Sequence, residues 1–214
     1  MDGIRRTFLD TAAVSLEMIE VPEVAAHWDE PSVLPEFSTR GLCGHLVRAT
    51  TSVRDYLDAS EPDEEPIGPA MYYVKVLGDG GPIDLQADVH VGVRERSEAL
   101  AEGGPRATAG RLREALDEVE ERLLLESPER KVRVFGGHPM MLDDYLVTRL
   151  IEQTVHIDDL ATTLGLEPPV LPLRATELAI YNLVRIGRLR HGDLGVLRAL
   201  TRRERDTVGA LHVI

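Results

Sequence analysis

The chain has 214 residues and a formal net charge of −13, with 43% hydrophobic, 29% charged and only 4% aromatic residues. This is the composition of an ordinary globular protein with one substantial core, and the low aromatic content favours helices packed on helices over a β-sandwich. The negative field disfavours nucleic acid as a partner. No apolar run is long enough to span a membrane, and the first ten residues have no apolar core of a secretion signal.

In residues 4–20, Ile4, Phe8, Ala12, Val14, Leu16 and Ile19 mark an amphipathic helix. Pro22 limits its extension. A Pro-punctuated connector covers residues 27–37, with Trp28 as its staple onto the core. Ser38 offers an N-cap to a second helix reaching about residue 57. Its inward face carries Leu42, His45, Leu46, Ala49, Val53 and Tyr56, so His45 faces the core.

Residues 58–69 are acidic and Pro-rich and read as a solvated loop. Residues 71–76 fit a strand or a helical turn equally, with a loop at 78–82. Residues 83–100 favour a helix. Gly103, Gly104 and Pro105 interrupt before helix resumes at 107–125. Alternation over 131–135 predicts a short strand, ended by Gly136 and Gly137. The strongest helix is 141–164, closed by Gly165 and by Pro168 and Pro169. Further helices are expected at 175–189 and 194–203, and 211–214 is placed as a terminal strand beside 132–135.

The expected fold is mainly all-α: a four-helix bundle over residues 1–165 and a short C-terminal helical extension, 166–214, packed on it. A minor two-stranded β element completes the picture.

Glu152 and His156 lie one helical turn apart on the strongest helix, so both side chains project from one face. Alone, such a pair often only stabilises a helix, and a lone histidine such as His45 is more often a hydrogen-bonded core residue. Together they point further. A carboxylate in an apolar stripe needs a charge partner, and a divalent cation held by His45, Glu152 and His156 supplies one. Bundles build metal sites from facing helices, and three protein ligands with an open fourth position mark catalytic zinc.

Arg149 could bind a substrate carboxylate or pair with Glu152. Asp159 could orient the His156 imidazole or sit on the surface as a plain acid. Cys43 is the only cysteine. It reads as a small core filler, so no disulfide forms within the chain, in keeping with a reducing, cytoplasmic setting. His138 takes a turn or capping role.

Residues 28–38 followed by Gly44-His45-Leu46 resemble the first signature of the mycothiol-dependent maleylpyruvate isomerase N-terminal family, which belongs to the DinB-like four-helix metalloproteins. Arg149, Glu152, His156, Asp159 and Leu160 match its second signature, R-x-x-E-x-x-x-H-x-x-D-L. The resemblance covers residues 4–165. It implies a DinB-like bundle in which His45, Glu152 and His156 bind a divalent metal: zinc, with nickel, iron or manganese as alternatives.

It also implies a thiol cosubstrate, mycothiol, and an electrophilic small-molecule substrate. The absence of a catalytic cysteine in the chain fits a borrowed thiol. The family's isomerases carry a sizeable C-terminal domain resembling sterol-carrier proteins, whereas 49 residues follow Gly165 here, which weighs against maleylpyruvate as the substrate. The expected function is therefore a thiol-dependent transferase or isomerase. The alternative is a non-catalytic metal-binding regulator, either a zinc anti-sigma-like protein or a ligand sensor. Homodimerisation suits a bundle.

Overall fold

A computed structural model describes residues 3–78, 84–206 and 209–213. Helices dominate, as expected. They are α1 (Ile4–Ile19), α2 (Pro22–Ala26), α3 (Thr39–Leu57), α4 (Pro69–Leu77), α5 (Asp88–Leu100), α6 (Pro105–Leu125), α7 (Leu142–Leu164) and α8 (Leu173–Thr201). The segment 71–76 is helical. Ile83 and residues 79–82 of the expected loop lie outside the described residues.

Pro22 does more than end α1. It occupies the first turn of α2, where its missing N–H costs nothing. Ser38 caps α3 as expected: its side chain accepts from Gly41 N at 3.1 Å, a contact worth about 1 kcal/mol in comparable helices.

Helices α1, α3, α6 and α7 form the bundle. α7 packs on α1 and α3, and α6 packs on the same two from the other side. α5 lies along the outside of α3, while α8 covers α7 and α4. Their apolar faces meet in two clusters. Phe8, Val53, Leu123 and Leu146 belong to one, and Met18, Leu42, Leu112 and Leu160 to the other. Where the clusters meet on α3 and α7 the buried residues turn polar: His45 and Thr50 on α3, and Thr148, Arg149, Gln153 and His156 on α7. The candidate ligands sit in this belt.

The expected strand at 131–135 is present as β1 (Lys131–Arg133), but its partner is not the C-terminal tail. It pairs antiparallel with β2 (Pro139–Met141), with Val132 opposite Met140. The tail lies against α8 instead, where Arg190 Nη1 donates to the Val213 carbonyl at 2.9 Å. A local hairpin closes a far shorter loop than a pairing across about 75 residues would. Gly136 and His138 occupy its turn, in accord with the turn or capping role expected of His138.

The acidic loop is tied down rather than freely solvated. Glu61 accepts from Lys131 N at 2.8 Å, and Glu64 pairs with Arg133 at 2.7 Å, so opposite charges pin the loop to the hairpin. The two helices expected at 175–189 and 194–203 are both present within the span of α8, and they meet at a kink at Gly192, where the backbone leaves helical geometry (φ 77°, ψ 160°). Among the described residues, no helix is long and apolar enough to cross a membrane.

Candidate metal centre

His45 and the pair Glu152–His156 come together from α3 and α7. His45 Nε2 lies 3.0 Å from Glu152 Oε2, and His156 Nε2 lies 3.5 Å from the same oxygen. The two imidazoles meet edge to face, with centroids 4.7 Å apart. One ligand atom from each residue falls within 4.8 Å of the others. Tetrahedral zinc with bonds near 2.1 Å sets ligand atoms about 3.4 Å apart. The two contacts to Oε2 bracket that value.

The protons point the same way. Ser97 Oγ donates its only hydrogen to the Val93 carbonyl at 2.8 Å. It can therefore only accept from His45 Nδ1, 3.3 Å away. In the tautomer that this contact accommodates, neutral His45 carries its proton on Nδ1 and turns the Nε2 lone pair toward Glu152, as a metal ligand must. On the other side, His156 Nδ1 donates to Asp159 Oδ2 at 2.8 Å, which again directs Nε2 inward as a lone pair. With both Nδ1 atoms protonated and both rings neutral, three electron-rich atoms converge, and either an added proton or a cation has to supply the positive charge between them.

The titration behaviour reflects this demand. Burial disfavours a charged His156, but hydrogen bonds to Asp159 and Glu152 outweigh it and bring the ring up to about 9. Burial dominates at His45 and pushes it down to about 4, against the pull of Glu152. Burial would raise Glu152, yet the neighbouring His156 and His45 rings and the Arg149 cation hold it well below the usual carboxylate range. The carboxylate is therefore ionised. The donor set of two imidazoles and one carboxylate fits a divalent ion.

Backbone packing places Ser97. A Cβ built on Gly44 would lie 1.9 Å from the Ser97 carbonyl oxygen, so only glycine lets α5 approach α3 this closely. Cys43, beside it, is fully buried, as expected of a core filler. Burial pushes its thiol up to about 12.

Asp159 touches the site through His156. Arg149 is 5% exposed, with its guanidinium 5.0 Å from the Tyr145 ring centroid and Nη2 4.0 Å from Glu152 Oε1. It faces the same cavity as the ligands. That cavity, about 370 Å³, opens directly onto His45, Glu152 and His156. It reaches the surface beside Val33 and Leu85, both partly exposed. Although the chain has only one Trp, five Tyr and three Phe, Phe37, Tyr56, Tyr72, Tyr73, Phe135 and Tyr145 all line it. Arg48 also lines it and forms no hydrogen bond or ion pair among the described residues. No fourth His, Cys, Asp or Glu joins the ligand group among the described residues.

The sequence reading missed Tyr73 and Ser97. The Tyr73 hydroxyl lies 2.6 Å from Glu152 Oε1 and 3.2 Å from the Thr148 carbonyl. A phenol has one hydrogen, and the shorter contact to an ionised acceptor takes it. Burial, and then the Glu152 charge, keep this phenol well above its ordinary pKa, so it remains a donor. The only signal in the sequence was two adjacent tyrosines in an aromatic-poor chain.

The family model described as the mycothiol maleylpyruvate isomerase N-terminal domain matches residues 11–161. No match to a curated protein or to a solved structure is found.

Proposed function

The chain belongs to the mycothiol maleylpyruvate isomerase N-terminal domain family, and from that membership and the site geometry we propose a divalent-metal-dependent enzyme that uses a low-molecular-weight thiol against a small electrophile. His45, Glu152 and His156 would hold the ion. Imidazole and carboxylate ligands suit zinc, with nickel, iron and manganese as alternatives. When bound, such an ion lowers the pKa of a thiol and so supplies thiolate at neutral pH.

The protein's own residues do the rest. Ser97 and Asp159 fix the two imidazoles so that both Nε2 atoms face the ion. The aromatic walls exclude water and present an apolar surface to the electrophile. Arg149 and Arg48 give the cavity positive charge close to the ligands, which suits an electron-withdrawing or anionic group on the substrate. With Cys43 buried away from the cavity, the thiol has to come from outside. Mycothiol is the donor that the family name indicates. Residues 1–165 are read as the site-bearing unit and 166–214 as its buttress. The reaction is an S-transfer, or a reversible addition that isomerises the substrate.

The observation that carries this reading is the vacant side of the ligand group: three donors and no fourth protein ligand among the described residues, facing a cavity large enough for a small molecule. A purely structural ion would be enclosed by four protein ligands. The test is metal analysis of untagged protein, followed by thiol consumption with a model electrophile before and after chelation. Stoichiometric metal and chelator-sensitive consumption are expected. Unchanged consumption after complete metal removal overturns the proposal.

A further inference from the structure

Glu152 has two oxygens with separate partners. Oε2 faces both imidazole Nε2 atoms, at 3.0 and 3.5 Å. Oε1 is not the oxygen nearest the imidazoles, and it accepts from the Tyr73 hydroxyl at 2.6 Å. Tyr73 is 4% exposed, so its ring is held by packing on most sides. Its ring belongs to the cluster that contains Tyr145, Leu146 and Ile151 of α7 and Ala175 and Ala179 of α8. α8 packs against α4, the helix that carries it. The hydroxyl is thus delivered to Glu152 from a rigidly packed element, 79 residues away in sequence.

We propose that Tyr73 is a positioning residue that occupies one oxygen of Glu152, so that the carboxylate offers a bound divalent ion a single oxygen and leaves its remaining side open to the cavity. The inference rests on the metal-centre reading above. A carboxylate can give an ion one oxygen or two. At this site a second Glu152 oxygen would fill the vacancy into which a thiol must come. The Tyr73 hydrogen bond holds Oε1 out of that role and fixes the carboxylate plane as well. Arg149 Nη2, at 4.0 Å from the same Oε1, lies too far to replace it.

The experiment titrates Co²⁺ and Zn²⁺ into the metal-free full chain, wild type and Tyr73→Phe, and follows the visible absorption of bound Co²⁺ and the Zn²⁺ dissociation constant by competition. Wild type is expected to give the intense bands of four-coordinate cobalt. Tyr73→Phe, which keeps the ring and loses only the donor, is expected to give the weaker bands of higher coordination and a Zn²⁺ affinity reduced about tenfold or more. Placing p-aminophenylalanine at position 73 returns an N–H donor in the same shape. It should restore the wild-type spectrum, and it serves as the test if the Phe variant does not fold. Wild-type spectrum and affinity in Tyr73→Phe, or no restoration by the amino variant, overturn the role of Tyr73. Failure of the wild type itself to bind Co²⁺ or Zn²⁺ overturns the metal-centre reading instead, so the two failures are distinct.

Discussion

Gly44 of α3 lies directly beneath the Ser97 carbonyl of α5, and a methyl group on Gly44 would have to sit 1.9 Å from that oxygen. The next residue along α3 is His45, and the Ser97 hydroxyl is what orients it. One contact between two backbones therefore sets the spacing of two helices and the orientation of a candidate ligand. Gly44→Ala should push α5 outward and break the Ser97–His45 hydrogen bond. Overpacking of this kind costs about 1–3 kcal/mol. The expected result is a lower urea midpoint together with weaker Zn²⁺ binding. Wild-type values for both would show that α5 yields without disturbing the site.

Asp159→Ala removes the acceptor that holds His156 Nδ1. Asp159 has a side chain 25% exposed, so the fold should tolerate the change. Metal affinity should fall by about 10–100-fold, the usual effect of removing a ligand's supporting hydrogen bond. Competition with a chromophoric chelator measures it. An unchanged constant would make Asp159 a surface acid.

Chelation should lower the melting temperature. An ion at about 100 times its dissociation constant stabilises the folded state by about 2.7 kcal/mol. For a chain of this size about 1 kcal/mol corresponds to about 2–4 °C. A decrease of roughly 5–10 °C is therefore expected in calorimetry, reversed by adding Zn²⁺ and absent in His156→Ala.

Cys43 should resist iodoacetamide at pH 8 in the native protein and react promptly in denaturant. Its folded-state pKa is raised by burial from 9.0 to about 12. The sign follows: the buried neutral thiol contributes its full stability below pH 9, and that contribution is lost as pH rises from 9 towards 12. Cys43→Ala should retain chelator-sensitive thiol consumption. Loss of activity in that variant with the fold intact would contradict an external thiol.

The candidate ligands were legible because two periodicities coincide. The one-turn spacing of Glu152 and His156 is local, and the apolar stripe around them says that the carboxylate is buried and needs a charge partner. His45 was legible from its inward face on α3 and from the signature around it. Tyr73 was not, because residues 71–76 form a short apolar run that suits strand and helix alike. Its contact with Glu152 is a long-range meeting that no local pattern records. Ser97 was hidden for the same reason, as one serine in a helix whose approach depends on a glycine 53 residues earlier. The partner of β1 was misplaced because β2 is three residues long and starts with proline, so the β-branched tail looked the better mate.

α4 is only nine residues long, and α8 packs along it. Whatever the cavity selects is therefore decided partly by a helix that contributes no residue to its lining. Changes along the α4-facing side of α8 would reshape the pocket wall while leaving every ligand-contacting side chain untouched. Selectivity among relatives could in this way diverge through the last quarter of the chain while the candidate metal centre stays the same.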